Sequence, residues 1–499
     1  MKKTILLFFL ITNFLIASTL NLSISSSPSR INPILANDTA STEISQWIFN
    51  GLLKYDKDGN IVPDIAKSFK FTDKTTLIIK LKKNVLWQDK KEVTAKDVLF
   101  TYNTIINPKI YISFKSNYDK VKSVKALDKY TIEIKYKEPY FKALEIWLVG
   151  LLPYHILKDE KNLMTSKFNK HPIGTGPYIL ENFKNSSDIT LKANNSYFEG
   201  RPKIDKIQYK FYPDTTTSFL MLKQNQLDVS SLTALQIDRQ IDKKFLDNYK
   251  IIESQSFSYD YVGLNLKNEK FKDIKVRKAL SLAINRQQLV DILFFGHGKV
   301  CNGPFLPGSF VYNDKIKSPK QNIKKAKELL KQAGYDKNNP LEFELTTNTG
   351  NEIRINAAQI IQHQLKKAGV NVKIRVLEWQ AFLNTVVLPK KFEAVLLGWS
   401  TTLAPDAYPL WHSNSQRMGG FNLVHYSNKK VDNLIEEGAR TINREKFAQI
   451  YKEIFAQIAN DTPYLFLYIP NSITVVNKKI KHIKPTFLGI MHNQIEWEK

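Results

Sequence analysis

The residue types from which active sites are built are present, but not at the spacings that catalysis needs. No H-E-x-x-H pair that would seat zinc on one helix face occurs, and no G-x-S-x-G elbow that would expose a serine nucleophile. Gly296-His-Gly-Lys299 has the look of a phosphate-loop end, yet Val300 stands where a Ser or Thr would reach magnesium. Gly174-Thr-Gly176-Pro-Tyr178 reads as a turn, with glycines supplying positive φ and proline stiffening the exit. The eight histidines are scattered, His412 reads as structural, and the one cysteine, Cys301, admits neither an internal disulfide nor a closed zinc site. No cofactor is indicated. What does stand out is Gly398-Trp399, an aromatic side chain at the end of an apolar run, able to offer apolar area and a stacking surface.

That pair is placed by the clearest structural unit in the chain, between Pro340 and Trp399. Leu341-Glu-Phe-Glu-Leu-Thr-Thr alternates as a half-buried strand does. Residues 353–368 carry Ala357, Ile360, Ile361 and Leu365 on one helical face, and Gly369 stands at the C-cap. Val370, Val372, Ile374 and Val376 share one face of a second strand. A short helical segment from Trp379 leads to Ala394-Val-Leu-Leu, an apolar run suited to a buried strand. This βαβαβ order predicts a parallel or mixed sheet, whose ligands bind beyond the carboxyl ends of the strands, where Gly398-Trp399 lies. Upstream, Ile323 to Gly334 reads as an amphipathic helix stopped by its glycine. Strand-like and helix-like segments alternate along the whole chain, so the fold class is α/β.

The N-terminus carries Lys2 and Lys3, an apolar run from Ile5 to Ile16 broken by Thr12 and Asn13, then Ala17-Ser18-Thr19. That is the grammar of a secretory signal peptide, with cleavage predicted after roughly residue 18. The run falls short of the ~20 apolar residues of a membrane span. No cysteine sits near the cleavage region, which disfavours a lipid anchor. The mature chain is expected to be soluble and outside the cytoplasm, and 499 residues with 43% hydrophobic content suffice for two or three domains without disulfides. The net charge of +26 comes from Lys, which outnumbers Arg about six to one and is spread evenly. Nucleic-acid readers concentrate Arg and Lys on one face, so a solvated lysine-rich surface is the expectation.

Several segments together carry a resemblance. They are Asn32-Pro33; Trp47-Ile-Phe-Asn-Gly51-Leu-Leu; Val62-Pro-Asp-Ile-Ala-Lys-Ser68; and Trp87-Gln-Asp89 with Val93-Thr-Ala-Lys-Asp97-Val. Next come His171-Pro-Ile-Gly-Thr-Gly-Pro-Tyr178 with Asn194-Asn-Ser-Tyr-Phe-Glu-Gly200, and Val276-Arg-Lys-Ala-Leu-Ser-Leu-Ala-Ile-Asn-Arg286. Gly398-Trp399, Leu410-Trp-His-Ser413 and Tyr426-Ser-Asn-Lys-Lys-Val-Asp432 complete the set. In this order the chain resembles the family 5 extracellular solute-binding proteins, the dipeptide, oligopeptide and nickel receptors of ABC importers. The resemblance implies a two-lobed periplasmic-binding-protein fold (type II, large class) with a ligand cleft between the lobes. Lobe I would comprise residues 19–47, 172–262 and 475–499; an extra domain, 48–171, would pack on it; lobe II would be 263–474. The crossings would lie near Tyr261-Val-Gly-Leu264 and Ser472-Ile-Thr.

It also implies a monomeric, non-catalytic periplasmic receptor that hands small peptides or similar polar ligands to a permease and ATPase. A nickel-chelate, opine or oligosaccharide receptor is the alternative, and a secreted hydrolase the remote one. Trp399 would wall the cleft. Dipeptide receptors carry an Asp three residues after this Trp, where this chain has Thr402, and relatives with D-P-D correspond to Ala404-Pro405-Asp406. Asp406 is therefore the candidate cation anchor. Arg354, then Arg417, are candidates for a ligand carboxylate, which a guanidinium fork matches bidentately. Asp38 and Thr39 resemble the N-terminal contact loop, and Tyr259 and Tyr261 lie at the first crossing.

Overall fold

The computed structural model describes residues 18–184, 188–212, 214–402, 405–417, 420–487 and 489–499. The predicted signal segment, apart from Ser18, and Ala404 lie outside them. The fold is mixed α/β and two-lobed, and one strand runs through both lobes. Tyr464–Asn477 pairs over its first half with Ser258–Leu264 and Gly298–Val300, and over its second half with Tyr249–Gln255 and Val229–Leu232. The changeover falls at Pro470–Asn471, where a proline removes one ladder donor. The other passage is the short link Ser256–Phe257, upstream of the Tyr261–Leu264 stretch, which is already strand.

On the second lobe the βαβαβ unit is present. Leu341–Asn348 pairs in parallel with both Val370–Leu377 and Ala394–Ser400, and the latter runs antiparallel to Ser258–Leu264. The helix Glu352–Lys367 starts where the Asn351 side chain accepts from the Arg354 amide, and ends at Gly369, whose φ of +85° suits glycine. Val370–Leu377 departs from expectation at one end. It is the edge strand, so burial fades along it from Val370 at 0% exposed to Val376 at 37%. The short helix Trp379–Phe382 continues into a π-turn, Leu383–Val387. Ile323–Gln332 forms the predicted amphipathic helix, capped by Asn322.

On the other lobe Thr19–Ile24 lies parallel to Lys206–Phe211 and touches Val229–Leu232, so these strands end together beside the crossing. A separate antiparallel sheet of Ala66–Phe71, Thr76–Leu81, Thr131–Tyr136 and Val121–Asp128 is covered by the helix Ala95–Ile106. The Thr94–Asp97 capping box starts that helix, which accounts for the Val93-Thr-Ala-Lys-Asp97 segment.

Gly174 and Gly176 do not adopt positive φ. They are glycines because the chain passes against Trp47 and Ile48: a Cβ would lie 1.9 Å from the Ile48 carbonyl oxygen at Gly174, and 2.5 Å from that of Trp47 at Gly176. Gly296, with φ of +83°, follows the helix Arg286–Phe294 as part of its stop.

Candidate functional site

Three strands of the second lobe bring their crossing ends together: Ser258–Leu264, Ala394–Ser400 and Tyr464–Asn477. Between them and the start of the helix Glu352–Lys367 lies a cleft of about 370 Å³, lined among others by Ser258, Asp260, Arg354, Gly398, Trp399 and Tyr468. Alternation decides which side chains reach it. Along Ser258–Leu264, Tyr259 and Tyr261 point into the core and are fully buried, whereas Asp260 between them points to the cleft. The expected contact role of Tyr259 and Tyr261 is therefore corrected, since their rings support the wall instead. Tyr261 stacks on Tyr464 at 3.8 Å between centroids and lies parallel to Trp399 at 6.3 Å. Trp399 donates its indole N–H to the Tyr464 hydroxyl at 3.3 Å and remains half-buried at the cleft surface.

Arg354 also lines the cleft, but its fork is engaged. Its Nε donates to Asp260 Oδ2 at 3.0 Å and its Nη2 to Oδ1 at 3.2 Å. The Tyr468 hydroxyl donates to the same carboxylate at 3.3 Å, and Arg354 Nη1 reaches Asn348 Oδ1 at 3.4 Å. Both side chains are about one-sixth exposed, at 15% and 16%. Gly398 makes the pair possible: a Cβ there would stand 2.1 Å from Asp260 Oδ1 and 2.6 Å from Arg354 Nη2. The cleft wall thus carries an oriented, nearly neutral ion pair on one face of the sheet, with Trp399 at the rim, its ring packed on the opposite, tyrosine face.

The remaining expected residues lie elsewhere. Asp406 pairs with Lys142 Nζ at 3.0 Å and accepts from the Tyr408 amide, so its charge is committed to a junction with the segment that follows the strand Thr131–Tyr136. That junction also holds Phe141 stacked on Phe447 at 5.1 Å and Arg440 within 3.4 Å of Glu138. Asp38 caps the helix Thr39–Ile48, accepting from the amide and hydroxyl of Ser41 and from the Ser29 hydroxyl, and these bonds hold its carboxyl below the usual range against the opposing effect of burial. Thr39, Thr402 and Arg417 are exposed and do not line this cleft. His412 is buried, accepts from the Asn414 amide and stacks on Tyr408, a structural role. Among the described residues no group of three or more His, Cys, Asp or Glu comes together as a metal site.

Two acids were missed. Asp260 was signalled only as a lone charge in Tyr-Asp-Tyr within an apolar strand. The second, Glu43, sits one turn before Trp47 on the first lobe, in an alcove of about 150 Å³ lined by Ser23, Tyr209, Ser231, Thr474 and Trp497, among others. Burial pushes its carboxyl above the usual range, while a hydrogen bond from Tyr209 pulls it down. The same Tyr209 hydroxyl accepts from Trp47 Nε1 at 2.8 Å, which fixes the direction of its own proton.

Residues 60–420 match the family described as bacterial extracellular solute-binding proteins, family 5 Middle. The chain belongs to that family. Family 5 membership extends beyond the matched core. The chain is 35% identical over 489 residues to the oligopeptide-binding protein AppA of Bacillus subtilis (strain 168), covering 94% of this chain and 89% of that protein. The structure of AppA from Bacillus subtilis in complex with a nonapeptide superposes with a TM-score of 0.78 at 34% identity, covering 96% and 98% of the two chains. NikZ from Campylobacter jejuni in complex with Ni(L-His) gives 0.79 at 30% identity, covering 96% and 99%. This family 5 protein is the solute-binding component of an ABC transporter. No helix among the described residues is long and apolar enough to cross a membrane.

Proposed function

We propose that this receptor captures small peptides in the cleft between its lobes and delivers them to a membrane permease driven by an ATPase. The observation that carries the reading is the wall formed by Trp399 and the Asp260–Arg354 pair, with Glu43 on the opposite lobe. A peptide presents apolar and polar groups in one molecule. Trp399 beside an internally matched ion pair, with the Glu43 carboxyl on the other lobe, offers apolar area, polar contacts and an acid to receive them. Support also comes from a relative named as oligopeptide-binding and from a neighbour that holds a nonapeptide. Two lobes joined by two thin crossings suit hinged closure, which excludes water and strengthens every charge contact inside.

In this reading the lobes take the ranges set out from the sequence, with their boundaries moved to the links at Ser256–Phe257 and Pro470–Asn471. The protein is exported, cleaved near residue 18, free of a lipid anchor, monomeric and without enzymatic activity. A nickel chelate is the second reading, favoured by the 30% identical neighbour that binds Ni(L-His). Native mass spectrometry of protein purified from its own host separates the two, because a closed cleft retains its ligand. A bound mass that fragments into amino acids supports the peptide, and a nickel isotope pattern overturns it.

A further inference from the structure

Glu43 stands out in a chain of net charge +26, because among the described residues no Lys, Arg or His lies within ion-pair range of it. Other buried or half-buried acids here have their charge met: Asp228, at 5% exposed, pairs with Lys499 at 2.6 Å, Asp64, also at 5%, with Lys54 at 3.6 Å, Glu145 feels Lys142, and Asp97 accepts from the amides of Thr94 and Tyr154. A half-buried carboxylate without a cation is stabilised when a ligand supplies one, because the closing cleft weakens solvent screening around it. Tyr209 gives a single hydrogen bond, leaving the rest of the acid's acceptor capacity to the alcove.

The alcove's position points to its occupant. Ser23 and Ser231 lie near the carboxyl ends of the first lobe's parallel strands, and Thr474 lies on the continuous strand just past the crossing. These strand ends run toward the crossing, the side on which open α/β sheets bind ligands. Its volume of about 150 Å³ is well below the roughly 300–1,000 Å³ of a complete small-molecule site, so it fits one functional group of a larger ligand. Hydroxyls of Ser23, Ser231 and Thr474 can accept from further N–H groups around the carboxylate.

We propose that Glu43 is the ligand's cation anchor, taking an ammonium or guanidinium group into this alcove. The assignment builds on the peptide-receptor reading and replaces Asp406, whose charge is already matched by Lys142. The cation can come from a peptide's α-amino group or from a basic side chain, so the probes separate these sources.

The experiment is calorimetry on wild type and Glu43→Gln with Ala-Ala-Ala, N-acetyl-Ala-Ala-Ala, Ala-Lys-Ala and N-acetyl-Ala-Lys-Ala. Gln keeps an acceptor for Tyr209, and an unchanged urea midpoint confirms that the variant is folded. Glu43→Gln is expected to lose at least tenfold in affinity for the probes carrying the recognised cation, with no loss for N-acetyl-Ala-Ala-Ala. A loss confined to the two free-amino peptides identifies the α-ammonium; a loss that persists in N-acetyl-Ala-Lys-Ala identifies the side chain. Equal affinities of wild type and variant for all four overturn the anchor while leaving the peptide reading standing. Wild type that binds none of them overturns the peptide reading, and the anchor is then decided by NMR. The Glu43 carboxyl carbon, identified by its loss in Glu43→Gln, must move with ethylammonium chloride beyond its response to sodium chloride, and an equal response overturns the proposal.

Discussion

Asp260→Asn removes the charge that holds Arg354 against the cleft wall. At the observed 3.0 Å, and with an effective dielectric of about 20, the attraction is about 5 kcal/mol before desolvation is counted. Breaking a fully buried pair costs about 3–5 kcal/mol, because the surviving charge is left uncompensated. Here each side chain keeps about one-sixth of its exposure, so water recovers part of that, and a loss of about 2–3 kcal/mol is expected. Arg354→Gln leaves Asp260 with the Tyr468 hydroxyl and costs a similar amount. The double variant removes both charges and should cost clearly less than the sum, with a coupling of about 1–3 kcal/mol. Urea unfolding followed by tryptophan fluorescence reads all four corners of the cycle, with a common m-value required for comparison. If the two single losses add to within about 0.5 kcal/mol, the pair does not act as a unit and the description of the wall is wrong.

Three further outcomes follow from the same geometry. Gly398→Ala puts a methyl group within 2.6 Å of both members of that pair, so it should destabilise by about 1–3 kcal/mol and lower ligand affinity; wild-type values in urea unfolding and calorimetry would refute the steric account. Asp406→Asn and Lys142→Met should change ligand affinity by the same factor, since each breaks one contact at the junction, with at most about 1 kcal/mol of stability lost; an affinity loss confined to Asp406→Asn would return Asp406 to the ligand. His425 has φ of +58°, and burial, then Lys267 and Lys390, push its imidazole down to about 4. Between pH 6.5 and 4 the unfolded chain takes up a proton that the folded one refuses, so stability falls as pH drops through that window and levels off below it. His425→Asn, which tolerates the same backbone, should flatten this part of the urea-midpoint profile, and an unchanged slope would exclude His425 as its source.

The sequence by itself determined what is written in local periodicity and caps. The strand at Leu341, the helix after Asn351, its stop at Gly369 and the buried run at Ala394 all follow from side chains a few residues apart, and Trp399 lands at the cleft for that reason. Ordered segments along the chain likewise carried the family and its two-lobed fold. Only the tertiary structure decided how charges are spent. Arg354 and Asp260 are 94 positions apart, and Asp406 and Lys142 are 264 apart, so no local pattern shows that one guanidinium is already matched or that one carboxylate is tied to another region. Glu43 reads as an ordinary acid on a helix until the strand bearing Tyr209 closes over it. The glycines at 174, 176 and 398 make the same point: each stands where another segment passes too close for a Cβ, and a close approach between distant segments leaves no periodic trace in the chain.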